Sequence, residues 1–291
     1  ISKQQIWLAY KKVKANQGSA GVDQISMEEF DVNRSKHLYK LWNRLASGSY
    51  FPPPVKEVEI PKKDGKVRKL GIPTIGDRVA QMVVKEYLEA RFEKIFSPNS
   101  YGYRPEKSAH QALEKVRQNC RKTDWVIDLD IKGFFDNIDH ERLMLAVQKH
   151  VPEKWCLLYI QRWLTMPVQT KSGELIQKQG KGTPQGGVIS PLLANLFLHY
   201  AMDKWLEQNH PNVEYVRYAD DAILHCKTKT EAEQTLAALD ERMKACGLEL
   251  HPEKTKQVYC RDYRRQDTYE TVKFDFLGYS FQPRSTKSKQ T

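Results

Sequence analysis

The segment that most narrows what this chain can become lies between residues 125 and 260. The pattern predicts a strand over 125–131 and a helix from Asp139 to about Val151. A second helix is expected from Trp155 to Leu164, then a polar hairpin over 166–179 around Ser172-Gly173. A long helix follows over 190–208, then a strand over 213–218, a turn at Asp220-Asp221 and a returning strand over 222–227. Thr230 and Glu233 form a capping box for a helix whose Ala232, Leu236, Leu239, Met243 and Cys246 share one face, and 255–260 is a last strand. With 139–179 set aside as an insertion, the order is β-α-β-β-α-β.

That ferredoxin-like order makes the first and third strands antiparallel neighbours, so the end of the first meets the turn that opens the third. The first strand, Val126-Ile127-Asp128-Leu129-Asp130-Ile131, ends in acids. Side chains alternate along a strand, so Asp128 and Asp130 share one face while Ile127, Leu129 and Ile131 face the core. Topology thus carries Asp130 to Asp220 and Asp221. Three carboxylates at one place repel unless a cation lies between them, and oxygen-only ligands suit Mg²⁺. Two such ions roughly 4 Å apart are the arrangement that serves phosphoryl transfer. The plainer reading is a turn with two acids beside a helix-capping one.

Charge points the same way. Among 291 residues, 47 Lys and Arg face 36 Asp and Glu, a formal balance of +11 that favours a polyanionic partner, nucleic acid before membrane. No apolar run approaches the roughly 20 residues of a membrane span. The most apolar stretch, 188–198, holds Ser190, Pro191 and Asn195, and Lys3, Gln4 and Gln5 stand where a signal sequence would be apolar. The five cysteines are widely spaced without a C-x-x-C, so buried reduced thiols and a cytoplasmic setting are expected.

The first 125 residues supply further basic elements. Ser2 with Gln5 opens a helix whose Ile6, Tyr10 and Val13 share a face; Lys11, Lys12 and Lys14 crowd the others, either as a solvated surface or as an RNA contact. Ser26 with Glu29 opens another helix. After the extended run 50–54, strands over 55–60 and 66–72 meet at an Asp64-Gly65 turn. This hairpin carries Lys56, Lys62, Lys63, Lys66, Arg68 and Lys69, as a phosphate-facing flap would. A helix over 77–96, a loop over 101–105 and a Ser108-capped helix to Asn119 complete this half. The Gly180–Gly187 run ahead of the long helix either lets backbone approach a ligand or is a simple turn; it lacks the spacing of a P-loop.

Taken together, Tyr218-Ala219-Asp220-Asp221, the Asp130 strand followed by Phe134-Phe135-Asp136, and Gly182-Thr183-Pro184-Gln185-Gly186-Gly187 resemble reverse transcriptases. Ala20-Gly21-Val22-Asp23, Arg68-Lys69-Leu70-Gly71-Ile72-Pro73 and Tyr101-Gly102-Tyr103-Arg104-Pro105 resemble the group II intron-encoded maturase branch, and the likeness runs over about residues 1–282. It implies an α+β fold, the fingers and palm of a right-hand polymerase. Fingers would span 1–125, with 139–179 extending them, the palm 126–282, and a basic tail 283–291. Family members continue into a helical thumb; a chain that begins without Met and stops short of it is expected to be a fragment.

The resemblance also implies roles. Asp130 and Asp220 would ligate two Mg²⁺ ions, with Asp221 completing the site and the Ile131 carbonyl as an extra ligand. Asp128 and Asp136 would be supporting acids. Phe135 would stack under the incoming sugar and exclude a 2′-OH, with Phe134 the rival and a core aromatic the plainer reading. Lys62 and Arg68 would hold the triphosphate, and Gln185 would contact the nucleotide or template. Lys254 would protonate pyrophosphate or be an ordinary surface lysine. Phe276, Leu277, Gly278 and Tyr279 would grip the primer end. The implied partners are group II intron RNA, an RNA template with DNA primer, and deoxynucleoside triphosphates. The implied activity is RNA-dependent DNA synthesis alongside assistance to intron splicing and mobility. An intron RNA-binding splicing cofactor is the alternative; a palm-type nucleotide cyclase leaves the basic surface and glycine loop without a purpose.

Overall fold

The computed structural model of the chain describes residues 1–61, 65 and 67–283. Lys62, Lys63, Asp64 and Lys66 of the predicted flap, and the tail from Arg284 onward, lie outside the described residues.

Helix α1, Lys3–Asn16, begins at the Ser2–Gln5 box and buries Ile6, Ala9, Tyr10 and Val13. Helix α2, Met27–Val32, begins at the Ser26–Glu29 box. Helix α3, Arg34–Ala46, has no side-chain cap to announce it, yet Leu38, Leu41 and Leu45 recur at helical spacing and are buried. Strands β1, Val55–Pro61, and β2, Val67–Ile72, pair antiparallel, Lys56 opposite Ile72. Helix α4 runs Ile75–Phe92; it starts earlier than the pattern suggests because Thr74 accepts from the Asp77 amide at 3.2 Å. Helix α5, Ala109–Cys120, follows the Ser108 cap.

Strand β3 is Trp125–Leu129, two residues shorter than expected. It stops because the Asp130 carbonyl turns to the His251 amide, 2.8 Å, and Ile131 bridges to Leu250. Helices α6, Phe134–Asn137, α7, His140–Gln148, and α8, Lys154–Thr165, lead to the short strands β4, Val168–Gln169, and β5, Leu175–Ile176. The predicted 190–208 helix is not one regular helix. Helix α9, Ser190–Leu198, passes into a π-helical turn, His199–Asp203, and resumes as α10, Lys204–Asn209. Strands β6, Glu214–Tyr218, and β7, Asp221–Cys226, flank a two-residue turn made of Ala219 and Asp220 rather than of the two aspartates. Helix α11, Lys229–Ala245, is capped by Thr228, not Thr230: Thr228 Oγ1 accepts from the Glu231 amide at 3.1 Å, and Glu231 reaches back to the Lys227 amide. Strand β8 is Lys256–Tyr259. The chain then forms a hairpin of β9, Phe274–Phe276, and β10, Tyr279–Phe281.

The chain divides into two compact units, Ile1–Ile95 with Phe135–Phe197, and Phe96–Phe134 with the remainder from Leu198. In the first, the sheet order is β2-β1-β4-β5, with β1 parallel to β4 and the other pairs antiparallel. Its core encloses the carboxylate of Asp77, which accepts from Tyr50 Oη (2.7 Å), Trp163 Nε1 (2.8 Å) and Gln81 Nε2 (2.8 Å). Burial pushes that carboxyl up, and the three donors hold it down, so the polar centre is satisfied rather than reactive.

In the second unit all strands are antiparallel in the order β6-β7-β3-β8, the ferredoxin-like arrangement. Directly opposed residues share a face. Val126, Val216, Ile223 and Val258 therefore lie together, covered by Ala112 and Val116 of α5 and by Phe274 and Phe276. Ile127, Leu129 and Leu224 lie on the opposite face, and helix α11 packs against β3, β7 and the π turn. All five cysteines are free; Cys156, Cys226 and Cys246 are buried, but Cys120 and Cys260 are only half-buried, at the edge of this core.

Candidate active site

Strand register delivers the acids. β3 and β7 pair Leu129 with Ala222, so Asp130 and Asp221 are the next residues beyond the last pair, close enough to feel each other's charge. Asp220 lies in the adjoining turn, whose Ala219 has φ +57°, a left-handed conformation seldom taken by a residue with a Cβ. Loop 99–104 braces the turn. The Tyr101 amide donates to the Arg217 carbonyl at 2.8 Å and the Arg217 amide to the Asn99 carbonyl at 2.9 Å. A Cβ on Gly102 would stand 2.4 Å from the Ala219 nitrogen, so only glycine lets these two backbones meet.

A third segment closes the group. Lys254 Nζ donates to Asp130 Oδ2 at 3.2 Å, and Thr255 Oγ1 lies 3.3 Å from the Asp130 carbonyl. Lys254 is thus the counter-charge on Asp130, its side chain more than half exposed. The acids feel one another. Burial, and then the charges of Asp220 and Asp130, push Asp221 up to about 6. Burial, with Asp221, Asp130 and Asp275 adding repulsion against the pull of Lys256, pushes Asp128 up to about 7. The set is oxygen-only and short of positive charge, which fits a hard divalent cation. Among the described residues no three His, Cys, Asp or Glu side chains are grouped so as to hold a metal ion by themselves.

The hairpin predicted to grip a primer is a two-residue turn in which Leu277 (φ +51°) and Gly278 (φ +82°) are both left-handed, joining Phe276 directly to Tyr279. Phe276 is buried in the core, while Tyr279 is exposed. Phe134 is also buried in this unit.

The first unit carries the other predicted nucleotide contacts. Arg68 Nε donates to Gln185 Oε1 at 2.8 Å, and the Gly71 amide to the Gln185 carbonyl at 2.7 Å, so hairpin and glycine loop are tied together. Gly186 (φ +112°) sits where a Cβ would meet the Gly71 carbonyl oxygen at 2.8 Å. Phe135 is buried; its carbonyl accepts from the Thr183 amide at 2.8 Å. Lys178 was not foreseen: its ammonium donates to the Gly182 carbonyl at 3.2 Å, and burial lowers it to about 8 against the attraction of Asp136. Of the three α1 lysines, Lys12 pairs with Glu86 at 2.5 Å and Lys14 with Asp31 at 2.8 Å, while Lys11 is exposed.

Residues 60–281 match the family described as "Reverse transcriptase (RNA-dependent DNA polymerase)". The chain is 32% identical to Protein YkfC of Escherichia coli over 282 residues, 83% of this chain and 73% of that protein. It is 36% identical to the Group II intron-encoded protein LtrA of Lactococcus lactis over 207 residues, 69% of this chain but 33% of LtrA. Its fold is similar to that of a telomerase from Candida albicans solved with a fragment of telomeric RNA, with a TM-score of 0.61 at 14% identity, covering 87% of this chain and 48% of the other. No helix among the described residues is long and apolar enough to cross a membrane.

Proposed function

Because the chain belongs to the reverse transcriptase (RNA-dependent DNA polymerase) family, we propose that it extends a primer 3′-OH with deoxynucleotides on an RNA template, within a group II intron maturase that also binds its intron RNA. The observation that supports this reading is the β3–β7 register, whose last pair, Leu129 with Ala222, adjoins Asp130 on one strand and Asp221 on the other.

Asp130, Asp220 and Asp221, with the Ile131 carbonyl, would hold two Mg²⁺ ions, which when bound acidify the primer hydroxyl and neutralise the reacting phosphates. The primer 3′-hydroxyl gives its proton to solvent as its oxygen bonds to the α-phosphorus, the bond from that phosphorus to the bridging oxygen breaks, and pyrophosphate departs. Lys254 gives up its contact with Asp130 when the site is charged, and serves the leaving pyrophosphate. Arg68, hydrogen-bonded to Gln185, contacts the triphosphate together with Lys62, and Gln185 contacts the nucleotide or template. Phe135 excludes the 2′-OH. The Phe276–Tyr279 turn steadies the primer end, with Tyr279 as its exposed contact.

A second activity is supported by the relatives, since LtrA is a group II intron-encoded protein and a protein of Arabidopsis thaliana 29% identical over 125 residues is named "Nuclear intron maturase 1, mitochondrial". The chain's excess of 11 positive charges suits an RNA-binding splicing cofactor, with Lys11, Lys12 and Lys14 at its surface. Primer extension on an RNA template with Mg²⁺, comparing deoxy- and ribonucleotides, decides between the two. Deoxynucleotide incorporation that Asp220→Ala/Asp221→Ala abolishes while RNA affinity stays is expected. Undiminished synthesis by that variant refutes the polymerase reading.

A further inference from the structure

The turn that carries Asp220 is strained at Ala219, and something must hold it. Behind it lies an ion pair with no solvent exposure on either side chain. Arg217 Nε and Nη2 donate to the two Asp203 carboxylate oxygens at 2.8 and 2.6 Å, a two-point fork. The remaining terminal nitrogen, Nη1, donates to the Ala219 carbonyl at 2.9 Å. One planar group therefore links the π turn to the bend between β6 and β7.

The π turn itself is secured from α11. Arg242 donates from Nε to the Ala201 carbonyl and from Nη2 to the Tyr200 carbonyl, both at 3.0 Å. These bonds satisfy carbonyls in the irregular turn and fix Asp203, its last residue, where Arg217 can reach it. π turns inside helices recur at functional sites, and this one places a carboxylate against Arg217 of β6, the strand that leads into the Ala219–Asp220 turn. The main chain of Arg217 is pinned as well, through Asn99 and Tyr101.

We propose that Asp203 and Arg217 are positioning residues for the polymerase site: the fork on Asp203 fixes the guanidinium, which holds the Ala219 carbonyl and so the direction in which Asp220 and Asp221 present their carboxylates. This rests on the polymerase reading above. A lysine at 217 keeps the charge next to Asp203 but, as a point donor, does not span both Asp203 and the Ala219 carbonyl.

The test uses the full-length protein carrying Arg217→Lys and, because a buried charge is sensitive to loss of its partner, a second variant with both charges removed, Asp203→Asn/Arg217→Gln. Single-turnover extension, primer–template affinity and binding of Mn²⁺ (followed by loss of the free-ion EPR signal on a dideoxy-terminated duplex) are read well below each variant's unfolding midpoint. Positioning predicts about a tenfold or greater loss of kcat, since misplacement of about 1 Å costs on the order of a hundredfold. It also predicts a several-fold rise in the Mn²⁺ needed for half-saturation, with duplex affinity within twofold of the parent. A folded variant with kcat and Mn²⁺ binding within twofold of the parent overturns it. So does failure of both variants to fold, which assigns the pair to stability alone. A parent protein with no synthesis at all refutes the polymerase reading instead, and this inference with it.

Discussion

Replacing Gly102 with alanine is the smallest change that reaches the Ala219–Asp220 turn without touching an ionisable group. The added Cβ would lie 2.4 Å from the Ala219 nitrogen and 3.0 Å from the Tyr218 carbonyl carbon, whereas ordinary contact begins near 3.4 Å. Both obstacles are backbone, so no rotamer relieves them, and the loop and turn must separate by about 1 Å. Overpacking of this kind costs about 1–3 kcal/mol, or a midpoint lowered by about 2–10 °C in a chain of this size. The kinetic effect is larger, because a reacting group displaced by about 1 Å loses on the order of a hundredfold in rate. Single-turnover primer extension on an RNA template gives the rate, and thermal unfolding by circular dichroism gives the stability. Gly76→Ala is the matched control: nothing lies within 4 Å of its Cβ. A folded Gly102→Ala protein that extends primer within threefold of the parent refutes the claim that this glycine sets the turn.

Other consequences follow from particular groups. Burial, helped by nearby Lys115, lowers His225 to about 3 from 6.5, and burial lowers His199 to about 4. Stability from keeping them neutral is complete above pH 6.5 and is lost as pH falls toward 4 and 3, about 2 kcal/mol per group by pH 5. His225→Leu should flatten that slope in urea unfolding; an unchanged slope contradicts it. Phe135→Val should raise ribonucleotide incorporation relative to deoxynucleotides at least tenfold, and an unaltered ratio shifts the sugar-gate role to Phe134. Neutralising Lys11, Lys12 and Lys14 together should lower the salt dependence of RNA binding by about one phosphate contact, a slope change of about 0.7–0.9, because Glu86 and Asp31 already engage two of the three. A change near three contacts would show that those pairs open on RNA.

How much of this was legible beforehand depends on the range of the interaction. Helix starts set by local hydrogen bonds could be read from residue types, as at Ser2, Ser26 and Ser108. The sheet order followed from strand sequence and crossover rules. The Thr230 cap was misplaced because Thr228, two residues earlier, offers the same chemistry, and only the end of β7 at Cys226 selects between them. Helix α3 was passed over because its first residues lack a side-chain cap. The π turn left no local mark, since Asp203 is an ordinary helical residue until Arg217 stands opposite it. Gly102 was seen as part of a motif; its purpose, contact with a backbone more than 100 residues later, exists only in three dimensions.

The central claim is that residues distant in sequence together hold the divalent cations. Fe²⁺ in place of Mg²⁺, with ascorbate and oxygen, generates hydroxyl radicals that cut the chain beside the bound metal. The account predicts two cut positions appearing together, one beside Asp130 and one beside Asp220–Asp221, both suppressed by excess Mg²⁺ and both lost in Asp221→Asn. Cleavage at one of these positions without the other, or at neither, would contradict it.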